Sequence, residues 1–344
     1  MAARVAPQQL ALRAARSAPF AAAVGLLERL GGAREHVLPI LMYHRVAPAD
    51  ERPDLDPALL SATPEAFEEQ ISFVAARRQP LSLDTLLAVR SGEAPLSANA
   101  VLVTFDDAYR DFADHAWPVL RRHGVPATLF VPTAYPDAPA TAFWWDRLHS
   151  AIAATAILEV ETSVGRLPLA TPAERRAAVS ALAGRVKELP HDEAMELVGD
   201  VCDQLDEPEP VPAVLSWDEL RRLAADGVAL APHTRTHPLL NRLQAERARD
   251  EVRGSVDDLT REIGHSPPVF AYPAGGHDER TVRILAEEGF RVAFTIERGS
   301  NDLRSADWLR LRRVNVGRRA SLSLLRAQLL PTVASVARNR KATA

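Results

Sequence analysis

Seven short apolar runs recur along this chain, and four of them carry a titratable or ring-bearing residue at or near their C-terminal end. They are "LPILMYH" (38–44), "AVLVTFDD" (100–107), "ATLFVPT" (127–133), "VALAPHT" (228–234), "VFAYPAG" (269–275), "VAFTI" (292–296) and "LRRVNV" (311–316). All but the last are rich in Val, Ile, Leu or aromatics, the composition of strands buried on both faces. Helical patterns separate them. Thr63 followed by Pro64 and Glu65 reads as an N-cap, a proline at N1 and an acidic first turn. "SWDE" (216–219) reads as a capping box with a stop at Gly227, and 278–289 runs from an Asp cap to a Gly stop. A further long helix is expected over 243–264. Strands alternating with helices predict an α/β fold with a largely parallel sheet, either a barrel or an open doubly wound sheet.

With 344 residues and 47% hydrophobic content, the chain can bury a large core. One stretch breaks the alternation. Residues 137–215 hold "WWDRLHSAIAA", a short β-like "ILEVET", and then Ala- and Glu-rich helical sequence. It reads as an α-rich insertion packed beside the main fold. The expected organisation is an N-terminal helical segment over 1–36, a main domain over 37–320 with the insertion at about 137–215, and a C-terminal helix with a basic tail over 321–344.

A net charge of −4 gives no global reason to expect nucleic-acid binding. Locally, Arg310 to Ala344 carries nine Arg or Lys and no acid, which admits weak contact with a membrane surface, although a solvated end is the favoured reading. The single cysteine, Cys202, cannot form an intramolecular disulfide, so an oxidising compartment is not required. "PFAAAVGLL" (19–27) has some character of a signal-peptide core, but Glu28 and Arg29 follow at once, and an amphipathic helix ended by Gly31 and Gly32 fits better. A cytoplasmic, membrane-peripheral at most, location is the expectation, with secretion not excluded. No run reaches the roughly 18 apolar residues of a membrane span.

The strand ends carry the chemistry. His44 follows the first run, Asp106 and Asp107 the second, His233 and His237 the fourth, and Tyr272-Pro273 ends the fifth. In parallel α/β folds, side chains at the C-terminal strand ends converge on one mouth, so residues far apart in sequence meet there. His233 and His237 are four apart; one helical turn would aim both imidazoles the same way, although Pro238 keeps that turn short and in a loop. Two neutral imidazoles and a carboxylate form a usual set for a catalytic divalent metal. Adjacent carboxylates repel, and strand neighbours point to opposite faces, so the Asp pair is expected where the strand has ended and the backbone turns. One carboxylate would then serve the metal and the other would take a proton.

Together "LMYHRV", "TFDDAYRDF", "HTRTHPLL" and "FAYPAGG" resemble the polysaccharide deacetylase family (carbohydrate esterase family 4, the NodB-like group). The order, with "MYH" ahead of "TFDD", resembles its circularly permuted branch. The resemblance spans about 38–316. It implies a distorted (β/α)7-type barrel and metal-dependent removal of an acetyl group from an N-acetylated hexosamine in a glycan or its precursor. By position it implies Asp106 as general base, Asp107, His233 and His237 as metal ligands, and His44 as general acid. The cofactor implied is one divalent ion, zinc first, with cobalt and nickel suited to the same ligands.

The oxyanion would be held by the metal and a backbone N–H next to Ala108 or Tyr109. Tyr272 and Pro273 would shape a wall of the sugar groove, and Arg313 would pair with Asp106 and keep it ionised, although three neighbouring arginines compete for that place. Trp144 and Trp145 could stack on sugar rings, with core packing of the insertion the favoured alternative. The family usually has Gly after the Asp pair. Here it is Ala108, which is costly if that position needs positive φ. The competing functions are a carbohydrate O-acetyl esterase using the same metal site, and a carbohydrate-binding protein whose site has decayed.

Overall fold

The computed structural model describes residues 15, 17–32, 35–138, 141–209 and 211–330. Seven parallel strands carry the architecture: β1 (Ile40–Tyr43), β2 (Ala100–Phe105), β3 (Thr128–Val131), β4 (Ala229–Pro232), β5 (Val269–Ala271), β6 (Val292–Arg298) and β7 (Leu311–Asn315). They pair in chain order. β1 lies beside β2, β2 beside β3 and β3 beside β4; β5 pairs with β6, β6 with β7, and β7 returns to β1. The sheet is thus a nearly closed (β/α)7 barrel. It opens at the β4–β5 seam, which has no strand ladder among the described residues.

Alternation along the strands divides the core. Ile40, Leu102, Phe130, Ala231, Ala271, Phe294 and Leu311 fill the barrel interior, whereas Leu41, Tyr43, Val101, Val103, Phe105 and Val131 pack outward under the helices. Both faces are therefore dry, which is why the strand sequences lack an apolar–polar rhythm.

The outer helices are α1 (Ala18–Leu30), α2 (Pro64–Arg77), α3 (Leu83–Ser91), α4 (Trp117–His123), α5 (Trp144–Ala154), α6 (Pro172–Glu188), α7 (His191–Gln204), α8 (Trp217–Ala225), α9 (Ala245–Ile263), α10 (Glu279–Glu287) and α11 (Leu322–Gln328). Their starts follow the expected chemistry: Thr63 caps α2, Ser216 and Glu219 close a reciprocal capping box on α8, and Asp278 caps α10. Between β3 and β4, helices α5 to α7 and a hairpin (Glu159–Thr162 with Gly165–Pro168) share a core of their own, built on Trp144, Leu148, Ile152, Leu182, Val198 and Cys202. Tyr109 and Leu55 belong to that same cluster and join it to the barrel.

The expected basic C-terminal run is different in three dimensions. Arg310 pairs with Glu279, Arg312 with Glu297, Arg313 with Asp106 and Arg326 with Glu28. Four of its six described arginines are thereby neutralised, so no free basic stripe forms there; residues 331–344 lie outside the described residues. No described helix is long and apolar enough to cross a membrane.

Candidate active site

Strand parity places the first carboxylate. Leu102 and Thr104 point into the barrel, and Asp106, two further on, continues that side at the C-terminal rim. Arg313 comes in from β7 with the same parity as Leu311. Its Nη1 and Nη2 donate to Asp106 Oδ1 and Oδ2 at 2.7 and 2.6 Å, and its Nε donates to the Thr295 carbonyl at 2.9 Å. Arg313 is fully buried and Asp106 nearly so. Burial alone would raise the Asp106 carboxyl. The Arg313 guanidinium and then His233 overcome it and hold the group below the usual carboxylate range. Of the three neighbouring arginines, the structure selects Arg313: Arg310 and Arg312 are on outer ion pairs.

After Phe105 the strand ends and the chain turns sharply. Asp107 has φ +74° and Ala108 has φ +51°, two consecutive residues in the left-handed region. Each L-residue there costs roughly 1–2 kcal/mol. What holds the turn is the segment leaving the insertion: Arg110 N donates to the Ala213 carbonyl at 2.7 Å and Leu215 N to the Ala108 carbonyl at 3.0 Å. The Ala108 and Tyr109 N–H groups find no acceptor among the described residues, so both remain available as donors.

The His pair lies in a loop, as Pro238 implies, and not in the helical turn that a spacing of four alone would suggest. Residues 233–239 form a loop in which Thr234 has φ +63° and His237 φ +59°. A β-branched residue in that region is strained, and the surroundings hold it there. Thr234 Oγ1 donates to the His233 carbonyl and accepts from His237 N at 3.0 Å. Glu251 of α9 accepts from Arg235 N, Thr236 N and Thr236 Oγ1 at 2.9, 2.9 and 2.6 Å. The two rings meet because the loop is clamped.

His233 Nδ1 lies 2.7 Å from the Ala271 carbonyl at the end of β5, so the imidazole bridges the open seam of the barrel. A carbonyl can only accept. Nδ1 therefore carries the hydrogen, and the Nε2 lone pair faces Asp107 Oδ1 at 3.5 Å. His237 Nε2 lies 3.2 Å from the same oxygen. Although close, Asp107 Oδ1 accepts no hydrogen bond in this geometry, and it is buried. Burial lowers the His237 pKa in spite of Asp107 and keeps that ring neutral.

Acceptor atoms turned toward one another in a dry site repel unless a cation lies among them. One ligand atom from each of Asp107, His233 and His237 falls within 4.8 Å of the others, and all three residues are buried. Their donor set and the hydrogen bond behind His233 suit a divalent metal.

His44 follows β1, half-buried, its backbone N–H donating to Ser61 Oγ at 2.9 Å. Tyr43 pairs with Phe105, and Asp106 N donates to the Tyr43 carbonyl at 3.0 Å, which puts His44 at the same rim as the Asp pair. Tyr272 does not shape a groove wall: its ring is fully buried among Phe270, Leu240 and Leu285, and its hydroxyl donates to the Leu309 carbonyl at 3.1 Å. Pro273 is buried as well. The fifth strand is short, and its end turns back into the packing under α9 and α10.

Trp144 and Trp145 are packed into the insertion core, with Trp145 also meeting the edge of the His237 ring at a centroid distance of 4.9 Å. Sequence reasoning missed Asp146. It accepts from Tyr109 Oη at 2.6 Å and from Asp56 N at 2.7 Å, while Trp145 Nε1 donates to that same Tyr109 oxygen at 2.8 Å. Burial pushes the Asp146 carboxyl up to about 7. In sequence it is an ordinary acidic residue in a first helical turn, with no signal of a buried role. Glu251 is equally silent, one acid among many on an exposed helix.

A model of the polysaccharide deacetylase family matches residues 93–293. Bacillus subtilis YxkH, itself only provisionally assigned as a polysaccharide deacetylase, is 20% identical over 264 residues, 76% of this chain and 66% of YxkH. The poly-β-1,6-N-acetyl-D-glucosamine N-deacetylase of Escherichia coli K12 is 30% identical over 86 residues, 25% of this chain and 13% of that protein. The chain thus spans just under two thirds of the first relative and a small part of the second. Among solved structures, the Streptococcus pyogenes deacetylase PplD in complex with acetate aligns with a TM-score of 0.60 at 18% identity, covering 87% of this chain and 100% of that one. IcaB from Ammonifex degensii aligns at 0.55 and 18% identity, covering 86% and 97%. Those structural likenesses establish the barrel.

Proposed function

This chain belongs to the polysaccharide deacetylase family, and on that premise we propose that it hydrolyses the acetamide of an N-acetylated amino sugar within a glycan or glycan precursor. The observation that carries the reading is the buried convergence of Asp107, His233 and His237 beside an Asp106 that a buried arginine keeps ionised. The similarity to an N-deacetylase of poly-N-acetylglucosamine supports an amide substrate.

In this reading Asp107, His233 and His237 would hold one divalent ion, zinc by ligand type. Such an ion supplies a Lewis acid that polarises the acetyl carbonyl and makes water easier to deprotonate. Asp106 takes a proton from the attacking water at a carboxylate oxygen. Arg313 keeps that carboxylate charged and fixes its plane by binding both oxygens. The free N–H groups of Ala108 and Tyr109 orient toward the charge that develops on the acetyl oxygen. His44 gives a proton to the leaving nitrogen, since an amine expelled as an anion is a very poor leaving group. The strained turn at 107–108 sets the division of labour between the two carboxylates: it breaks strand parity, so that both face the mouth.

The test is bound metal by elemental analysis together with acetate release from N-acetylglucosamine oligomers. Asp106→Asn is expected to retain metal and lose about 10²–10⁴-fold in turnover, the usual contribution of a general base. His237→Ala is expected to lose both. His44→Ala should be far more damaging on amide than on ester substrates. Wild-type acetate release by either Asp106→Asn or His237→Ala would sink the assignment.

A further inference from the structure

Helix α1 carries its apolar residues on the outside. Pro19, Ala22, Ala23, Leu26, Leu27 and Leu30 are all exposed, the three leucines by 56, 48 and 74%. Their spacing of three and four makes one continuous stripe along the helix. Single exposed leucines are ordinary on a protein surface, but a whole stripe is not. The inner side is held by Val24, by Gly25, where an added Cβ would meet Arg326 Nη2 at 3.5 Å, and by the ion pair from Glu28 to Arg326. Among the described residues the helix is therefore docked on one side only, with this apolar face uncovered.

Beside the stripe runs a groove of about 420 Å³ between the C-terminal turn of α1, the end of α2 and Asn99. Its charged lining is Arg29, Arg77, Arg78 and Arg326 against Glu28 alone, and Glu28 is already taken by Arg326. Arg29, Arg77 and Arg78 form no ion pair among the described residues, and Arg78 Nε is buried without a hydrogen-bond partner. An apolar stripe rimmed by unpaired arginines complements one kind of partner, a bilayer surface bearing anionic phospholipid: the leucines enter the acyl boundary and the guanidiniums meet phosphates. Two copies of this face would bring like charges together across a two-fold axis, which disfavours self-association.

We propose that α1 and the Arg29–Arg77–Arg78 groove dock the protein on an anionic membrane. Arg78 directly precedes the short strand Gln79–Leu81, and Asn99 directly precedes β2, so the groove lies at the N-terminal ends of the barrel strands. The mouth with Asp106 and His233 is at the opposite ends, and docking leaves it turned toward solvent. This inference does not depend on the reaction proposed above.

Flotation of the full chain with vesicles provides the test. Wild type is expected to float with mixed phosphatidylcholine–phosphatidylglycerol vesicles, to stay behind with phosphatidylcholine alone, and to detach as salt rises. The double change Arg29→Glu, Arg77→Glu should weaken binding by more than tenfold, since each basic residue near such a surface is worth about fivefold. Leu26→Glu with Leu27→Glu should weaken it as strongly. Both variants keep wild-type thermal midpoints and wild-type acetate release from soluble oligomers, because neither touches the barrel mouth. Failure to float on anionic vesicles, equal binding to neutral ones, or binding untouched by either double variant would overturn the proposal. So would light scattering showing a dimer that the leucine changes dissolve.

Discussion

Arg313→Met tests the central electrostatic claim. Methionine keeps the apolar bulk of the arginine stem and removes the cation that binds Asp106 at 2.6 and 2.7 Å. Both partners are at most 3% exposed, so the carboxylate that remains has little water to turn to. Removing one member of a buried ion pair costs about 3–5 kcal/mol, most of it the penalty of the charge left behind. The cost must depend on pH. In the wild type the Asp106 pKa is depressed, which contributes stability present above the unfolded carboxylate value near 3.8 and lost as pH falls through the folded value. In the variant the largest group opposing burial is gone, and burial raises that pKa. Its contribution is then present below about 3.8 and lost as pH rises. The gap between the two proteins should therefore be wide at pH 8 and narrow toward pH 4. Guanidinium denaturation of metal-free protein across that range measures it. Adding Asp106→Asn to Arg313→Met should recover about 2–3 kcal/mol relative to the sum of the single changes. In acetate-release assays the acid limb of the variant should move to higher pH. A cost below about 1 kcal/mol that is flat with pH, or additive single changes, would refute the reasoning.

Ala108→Gly should be close to neutral in stability: about 1–2 kcal/mol of left-handed strain is relieved, offset by about 0.8 kcal/mol of lost methyl burial and roughly 0.4–1 kcal/mol of unfolded-state entropy. A loss above about 2 kcal/mol would show that φ +51° at this position stores no strain. Asp146 is raised to about 7, so its contribution is present below about 4 and is lost as pH rises through 7. Asp146→Asn should accordingly flatten the fall in thermal midpoint between pH 5 and 8; parallel curves for the two proteins would count against a protonated Asp146.

Much of the barrel could be read from residue order because its strands pair in chain order. Seven apolar runs in sequence became seven adjacent parallel strands, and a polar residue ending a run had to lie at the shared rim. That rule brought His44, the Asp pair and the His pair to one mouth without any contact being known. The rule failed at Tyr272 because it treats the end of every strand alike. β5 has only three residues and turns back into the packing, so its terminal ring is covered.

The chain's own pattern determined strand number and order, the strand-end chemistry and the helix caps, all of which depend on local periodicity and short spacing. Tertiary structure alone decided which of three arginines faces inward, since parity gives two opposite sides and only closure of β7 onto β1 says which is the interior. It also decided the backbone at Asp107, Ala108, Thr234 and His237, where segments distant in sequence hold conformations these residues would not choose alone. Asp146 and Glu251 owe their importance to the same distant partners, and the outward turn of the α1 leucines depends on what its other face meets. Contacts of that kind have no period, and a linear pattern cannot carry them.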